Sequence, residues 1–371
     1  MKITVLQEHL LSCVSLASHF LPNKLTTVPS LSNFLMSVEK EKITLTASNI
    51  ETTIETTIPG KVEKEGAVLI PGKTLLSLLP AFSGEKITIE EQDKKIILLG
   101  KGTEVSLKTE DAHDYPKQTG DEKEKEIELS RRFIASIAQR VCLAASIDQT
   151  RAILTSVLIE DKEEGLFAVA TDGFRLSVYR DKTEKRGLLR KINVPSKVIS
   201  VVASILKEEE KESIKALYYE KSSRISFLLP GVKVTTQLID GAFPDYKKII
   251  PTSVNTSVTF GREDGLRALK FASVFARDAS NIVKLKTENQ KLVVSAKAAQ
   301  TGENKTEIPA TIEGEPVEVA FNYRFLADFF SSVEDETVLF ETNGALLPGV
   351  FTTPKNKNHF YIVMPVRLQE N

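Results

Sequence analysis

Ile70-Pro-Gly-Lys-Thr-Leu75 is the stretch that most resembles catalytic machinery, because Gly-Lys-Thr after a short apolar run is how a phosphate-binding loop ends. The chemistry would be nucleotide hydrolysis, with Lys73 on the phosphates and Thr74 on a metal ion. A full loop needs a second glycine five residues before Gly72, where the chain has Ala67; Gly66 is displaced by one. Without that longer loop the backbone amides do not wrap a phosphate, so the segment reads as a strand-to-helix turn. His9, His19, His113 and His359 form no local cluster that would ligate a metal or serve a nucleophile, and each reads as a lone surface histidine. Asp172-Gly173 lies between two strand-like runs and reads as a hairpin turn. No carboxylate pair stands out among the 50 acidic residues. The expectation is a protein that is not an enzyme, with no cofactor and no metal.

Binding chemistry is better represented. Lys24, Arg131, Arg132, Arg140, Lys197, Arg262, Arg267, Lys270 and Arg277 lie on or near predicted helices, and Arg267, Lys270 and Arg277 share one helical face. Such an array can follow a phosphate backbone. On spacing alone, a solvated helix face explains it better. No base-reading motif is present, so nucleic-acid binding would be insensitive to sequence.

These residues belong to a chain that repeats itself at an interval of about 125 residues. Val68-Leu-Ile-Pro-Gly-Lys-Thr-Leu-Leu-Ser-Leu-Leu79 recurs as Ile192-Asn-Val-Pro-Ser-Lys-Val-Ile-Ser-Val-Val202 and as Val317-Glu-Val-Ala-Phe-Asn-Tyr-Arg-Phe-Leu-Ala-Asp-Phe-Phe330. A second anchor has the same period: Leu45-Thr-Ala-Ser-Asn49, Ala168-Val-Ala-Thr-Asp172 and Leu292-Val-Val-Ser-Ala296. Asp111-Ala-His-Asp-Tyr-Pro116 and Asp240-Gly-Ala-Phe-Pro-Asp-Tyr246 are a further trace of duplication. Each repeat opens with a strand and an amphipathic helix. The helix carries Leu6, Leu10, Cys13, Val14, Ala17 and Leu21 in the first repeat and Phe133, Ile137, Val141 and Ala144 in the second. The third has a weaker stripe through Leu266, Leu269 or Lys270, Val274 and Ala276. Alternating strands such as Lys42–Thr46, Lys86–Glu90, Lys95–Leu99, Arg224–Leu228 and Lys233–Leu238 complete the pattern. The predicted fold class is α+β: three repeated domains, each with two helices packed on antiparallel sheets. The expected boundaries are 1–120, 128–249 and 252–371, separated by the charged stretch from Gln118 to Glu128 and by the proline-marked Ile249–Val254.

With 371 residues the chain is long enough for three such domains. Apolar content of 41% and charged content of 27% are ordinary for a globular protein, and the formal net charge of −1 argues neither for nor against nucleic acid. Cys13 and Cys142 fit no disulfide or metal spacing and suit a reducing compartment. The opening Met1-Lys-Ile-Thr-Val-Leu-Gln-Glu8 has no apolar signal core and no run is long enough to span a bilayer, so a cytoplasmic protein without membrane contact is expected.

Ala170-Thr-Asp-Gly-Phe-Arg-Leu-Ser-Val178, Gly241-Ala-Phe-Pro-Asp-Tyr246, Tyr361-Ile-Val-Met-Pro-Val-Arg-Leu368 and Thr150-Arg-Ala-Ile-Leu-Thr-Ser-Val157 together closely resemble the bacterial DNA sliding clamp family, the beta subunit of DNA polymerase III. The resemblance covers essentially the whole chain. It implies a ring of six similar domains, built as a head-to-tail homodimer, with helices lining a hole for duplex DNA and sheets outside. It further implies DNA replication as the setting, a processivity role for the replicative polymerase, and a separate clamp loader. Repair proteins carrying short clamp-binding peptides would be further partners. Carried over by motif, the partner-peptide cleft comprises Leu154, Thr171, Gly173, Phe174, Arg175 and Leu176, then Pro244, Lys248 and Ile249. The third domain would add Asn322, Phe325, Leu347, Pro348, Ile362, Val363, Met364, Pro365, Val366, Arg367 and Leu368. In that reading Gly173 lets the backbone approach the peptide and Arg175 fixes its orientation. Phe174 and Phe325 stand where other members can have His and Tyr, making the groove more apolar, and Gln369-Glu-Asn371 extends past Leu368 toward the cleft mouth. The DNA-channel candidates are Lys24 and Arg151, with Arg131, Arg132, Lys197 and Arg267 on helix position. The protomer interface would join the first domain to the partner's third, with Leu75, Phe82, Phe271 and Phe275 as candidate contacts. The competing reading is a non-encircling three-domain scaffold that binds peptides.

Overall fold

The computed structural model describes residues 1–22, 28–116, 124–183, 191–207 and 212–367. They fold into two compact units, Met1–Arg131 with Ser204–Leu238, and Arg132–Ala203 with Ile239–Asn371. Both are α+β, and every strand pairing among the described residues is antiparallel. No helix among them is long and apolar enough to cross a membrane.

In the first unit a five-stranded sheet runs in the order Gly60–Lys64, Lys2–Leu6, Lys86–Gln92, Lys95–Gly100, Thr103–Lys108. Strict alternation makes it: Ile87 and Ile89 are fully buried between half-exposed or exposed neighbours. Helix α1 (Gln7–Ser18) buries Leu10, Val14 and Ala17, the stripe its sequence predicts. Helix α2 (Gly72–Leu78) follows the strand Gly66–Pro71 directly. A Cβ on Gly72 would lie 2.6 Å from Leu21 Cδ1 and 2.9 Å from the Ser32 carbonyl oxygen. That glycine permits close packing and forms no phosphate cradle, in keeping with the strand-to-helix turn. A nine-stranded sheet carries the short edge strand Glu110–Asp111, then Gly66–Pro71, Asn33–Glu39, Lys42–Ser48 and Thr52–Ile58, on to Val232–Gln237, Arg224–Leu229, Ser213–Tyr219 and Glu124–Ser130. The join is Thr52 opposite Thr236, whose buried hydroxyls are 2.8 Å apart.

Helix α3 (Arg131–Ser136) continues as a π turn over Ile137–Val141 and a 3-10 turn over Cys142–Ala144. It buries the predicted Phe133, Ile137, Val141 and Ala144. Helix α4 (Ser196–Leu206) crosses from one unit to the other after Ala203.

The second unit is built on one sheet of twelve strands. Lys191–Pro195, Ser156–Lys162, Gly165–Thr171 and Arg175–Asp181 lead to Asn356–Val363, Gly349–Thr353, Thr337–Thr342 and Thr256–Gly261. The sheet continues through Gly302–Gly314, Lys291–Ala298 and Ile282–Glu288 to the edge strand Glu318–Asn322. Arg175 pairs with Val363 and Tyr179 with His359, which brings the Asp172 hairpin against the C-terminal strand. Helices α5 (Arg262–Ala276) and α6 (Tyr323–Ser332) pack on this unit.

Two sequence expectations are corrected here. α5 buries Gly265, Ala268, Leu269, Ala272, Ser273 and Ala276, while Val274 is 61% exposed and Leu266 lies outside the buried set. The inward face is small because α5 lies close against aromatic rings. A Cβ on Gly265 would meet Phe260 at 2.9 Å and Phe330 at 3.0 Å. His359 is not a surface residue. It is 2% exposed, 5.6 Å from the Phe329 ring centroid, and bonded to Ser177.

Phe321, Phe340 and Phe351 form an interlocked cluster with centroids 4.9 to 5.9 Å apart. Gly349 completes it, since a Cβ there would lie 2.6 Å from Phe321 Cζ and 2.9 Å from Phe340 Cε2. Rings held on several sides do not move aside cheaply. Gly349→Val should therefore cost about 2–3 kcal/mol, read as a lowered denaturation midpoint. A midpoint equal to the parent's would show that the cluster has room to adjust.

Candidate functional site

The hairpin Gly165–Thr171 to Arg175–Asp181 is turned by Asp172-Gly173-Phe174. Asp172 Oδ1 accepts the amides of Phe174 at 2.9 Å and Arg175 at 3.0 Å, a side-chain-mimicked turn. Thr171 Oγ1 accepts from the Gly173 amide at 3.0 Å and donates to the Arg175 carbonyl at 2.6 Å. Gly173 has φ of +94°, a conformation that favours glycine. The turn holds Phe174 outward, 62% exposed, and directs Arg175 inward.

Arg175 is the most heavily partnered side chain of the region. Its Nε donates to Asp172 Oδ2 at 2.9 Å, and its Nη1 donates to Asp328 Oδ2 at 2.5 Å and to the Tyr361 hydroxyl at 3.2 Å. The guanidinium carbon lies 4.5 Å from the Phe325 ring centroid. Burial disfavours its charge, but Tyr361, Asp328 and Asp172 outweigh burial and hold its pKa above the ordinary range. Burial pushes the Tyr361 hydroxyl up as well, so it stays a neutral donor and acceptor.

Around this centre the C-terminal segment is tied down in extended form. The Met364 amide donates to the Phe174 carbonyl and the Val366 amide to the Ala320 carbonyl, both at 2.8 Å. Met364, Pro365 and Val366 are half-buried and Arg367 is exposed. Asn322 caps α6 by accepting from the Arg324 amide at 3.0 Å, which sets where Phe325 begins its turn. Leu176, Ile362 and Val363 are at most 1% exposed and Leu154 and Thr171 little more, so these five back the surface. Leu176 and Ile362 pack with Leu158, Val169, Val178, Phe243 and Tyr246, and Ile249 lies against that cluster. Pro244 and Lys248 are exposed, Lys248 being 3.5 Å from Asp245. Leu347 is 49% exposed in a turn closed by its amide on the Gly344 carbonyl, and Pro348 follows it. Every described residue of the predicted cleft therefore belongs to the second unit; Leu368 and the extension beyond it lie outside the described residues. The arrangement offers apolar side chains, an exposed aromatic and one half-buried cation, which suits an extended peptide.

Profiles of the DNA polymerase III beta subunit match the chain in order: its N-terminal domain at residues 1–119, its central domain at 128–245 and its C-terminal domain at 247–367. The chain belongs to the DNA polymerase III beta-subunit family. The beta sliding clamp of Synechococcus elongatus is 27% identical over 378 residues, covering 100% of both chains. That of Staphylococcus epidermidis is 25% identical over 355 residues, covering 92% of this chain and 93% of its own. Among solved structures, the beta subunit of Thermotoga maritima superposes with a TM-score of 0.90 at 25% identity, over 99% of this chain and 100% of that one. The Bacillus subtilis sliding clamp has the same fold, with a TM-score of 0.89 at 23% identity and full coverage of both chains.

For a beta-subunit family member the basic residues matter next. Lys24 lies outside the described residues. Arg131 belongs to the first unit, where its Nη2 donates to the Lys207 carbonyl at 3.3 Å. Arg132, Arg151, Lys197 and Arg267 are exposed in the second unit, and Arg267 is paired with Asp264 at 2.7 Å. Arg151 stands apart from the helical candidates. It interrupts a 3-10 segment with φ −117° and ψ 72°, and its Nη1 is 3.8 Å from where a Gly173 Cβ would be, beside the hairpin turn. Two of the suggested protomer contacts are corrected: Leu75 is fully buried and Phe82 5% exposed, each filling its own unit. Phe271, 56% exposed, and the half-buried Phe275 remain on the surface of α5. Beside them a groove of about 500 Å³ runs along α5 and α6, bordered by Leu266, Arg267, Lys270 and Tyr323. Sequence reasoning missed Asp328 and Tyr361 as partners of Arg175. They lie 153 and 186 residues away, and nothing local marks one aspartate among so many acids.

Proposed function

We propose that the protein is a sliding clamp. Two protomers join head to tail around duplex DNA and tether the replicative polymerase, without catalysis, in the bacterial cytoplasm. The observation that carries this reading is the match of all three beta-subunit domains, in order, over residues 1–367. The domain division proposed is 1–120, 128–249 and 252–371. A formal net charge of −1 fits retention by topology, in which modest contacts from Lys24, Arg131, Arg132, Arg151, Lys197 and Arg267 allow sliding. Two open sheet edges are suited to protomer joining. Among the described residues the outer side of Thr103–Lys108 has no strand partner, nor has one side of Gly302 to Glu307. The Phe174 and Arg175 region is the docking cleft for short peptides of the polymerase, the clamp loader that opens the ring, and repair proteins.

The test is topological. Loaded with a bacterial clamp loader and ATP onto nicked circular DNA, the protein should stay on circles in high salt and be lost almost completely once the circle is cut. Salt-sensitive loss from both forms would overturn the clamp reading and favour the non-encircling scaffold, provided that a known clamp is retained in parallel.

A further inference from the structure

Arg175 is the half-buried cation of the cleft, yet the protein has already bound it to itself. Asp172 occupies Nε, and Asp328 and the Tyr361 hydroxyl occupy Nη1. Among the described residues Nη2 has no hydrogen-bond partner. Two carboxylates thus flank the Arg175 guanidinium itself, while the exposed Arg151 guanidinium lies beside the turn, near Gly173. Asp172 is fixed by its two backbone amides, whereas the Asp328 side chain is 45% exposed and, among the described residues, makes no hydrogen bond or ion pair other than that to Arg175. Asp328 is also the contact that spans α6 and the hairpin, with the Phe325 ring under the same guanidinium.

We infer that Asp328 is a specificity-determining residue of the cleft: by occupying Arg175 it excludes acidic side chains from that part of a bound peptide and leaves Nη2 for a neutral oxygen. The inference rests on the peptide-cleft reading above. A peptide carboxylate reaching the open Nη2 is repelled by the two resident carboxylates that already compensate the guanidinium charge, which offsets the charge-assisted bond it would gain there. A backbone carbonyl or carboxamide oxygen needs only the open nitrogen. Asp328 acts through Arg175 and need not touch the peptide, so it is a positioning residue.

The test uses the full chain and a random hexapeptide display library, selected separately on wild type, Asp328→Asn and Asp328→Ser. Peptides from wild type should be depleted in Asp and Glu at the register that faces Arg175, and peptides from both variants should gain an acidic residue there. For a Glu/Gln pair of one selected peptide, the affinity ratio should shift about tenfold toward Glu in Asp328→Asn. The shift should disappear when Arg175→Gln is added. A structural role alone would weaken both peptides equally. An unchanged Glu/Gln ratio with binding intact overturns the inference and spares the cleft. No enriched peptide on the wild type overturns the cleft reading, and the inference falls with it.

Discussion

Acidification from pH 7 to pH 4 should remove about 3 kcal/mol of stability from the second unit through His359 alone. The ring is 2% exposed, and burial, with the Arg140 guanidinium as a lesser cause, lowers its pKa from 6.5 to about 3. The hydrogen bonds fix its tautomer. Ser177 donates its single hydroxyl proton to the Arg140 carbonyl at 2.7 Å, so His359 Nε2, 3.0 Å from Ser177 Oγ, is the N–H donor to that hydroxyl oxygen. A second proton would have to enter at Nδ1 of a ring that is 2% exposed, where the charge is poorly solvated. In the unfolded chain the imidazole titrates near its ordinary value. The unfolded state thus binds more protons below pH 6.5, and the stabilisation is complete above that pH. It is lost progressively as pH falls toward 3, at about 1.4 kcal/mol per pH unit. Asp181 titrates in a lower window. Burial works against its charge, but the Thr183 hydroxyl and amide hold its pKa below the usual carboxylate value, so its contribution fades only under stronger acid. Urea denaturation across pH 4–7 measures the effect. His359→Phe, which keeps a ring beside Phe329, should flatten the slope over that window. Parallel curves for the two proteins would show that His359 does not titrate as argued.

Replacing Arg175 by Met should destabilise the second unit by about 2–3 kcal/mol and weaken binding of any cleft peptide at least about tenfold. The methionine fills the volume over Phe325 but leaves the Tyr361 hydroxyl, which is fully buried, without the donor now at 3.2 Å. Asp172 loses one ligand and keeps its two amides, and the exposed part of Asp328 returns to water, so the cost stays below that of a fully buried pair. Arg175→Lys should recover only part of the loss, because an ammonium cannot address Asp172 from one nitrogen while bonding Asp328 and Tyr361 from another. Denaturation midpoints and fluorescence anisotropy with a peptide selected on the wild type would measure both effects. A lysine variant equal to the parent in both would mean that charge alone matters and the fork geometry does not.

Local chemistry made much of this protein legible in its sequence. The α1 stripe of Leu10, Val14 and Ala17, the alternation of Lys86–Gln92 and the Asp172-Gly173 turn each depend on neighbours within a few residues, and each folded as its pattern predicts. The threefold repetition and the motifs around Arg175 and Met364 pointed to the beta-subunit family for the same reason, since they are contiguous strings. What required tertiary structure is whatever depends on distance in space across long distances in sequence. The binding of Arg175 by Asp328 and Tyr361, the burial of His359 behind Ser177, and the confinement of Leu75 and Phe82 to their own unit arise from strands and helices brought together from remote parts of the chain. The α5 face failed as a hydrophobic pattern because close approach to Phe260 and Phe330 selects small side chains, and residue size carries no periodic hydrophobic signal. Sequence thus determined the elements and their kinship, while packing decided which charges were already bound and which surfaces were left to bind.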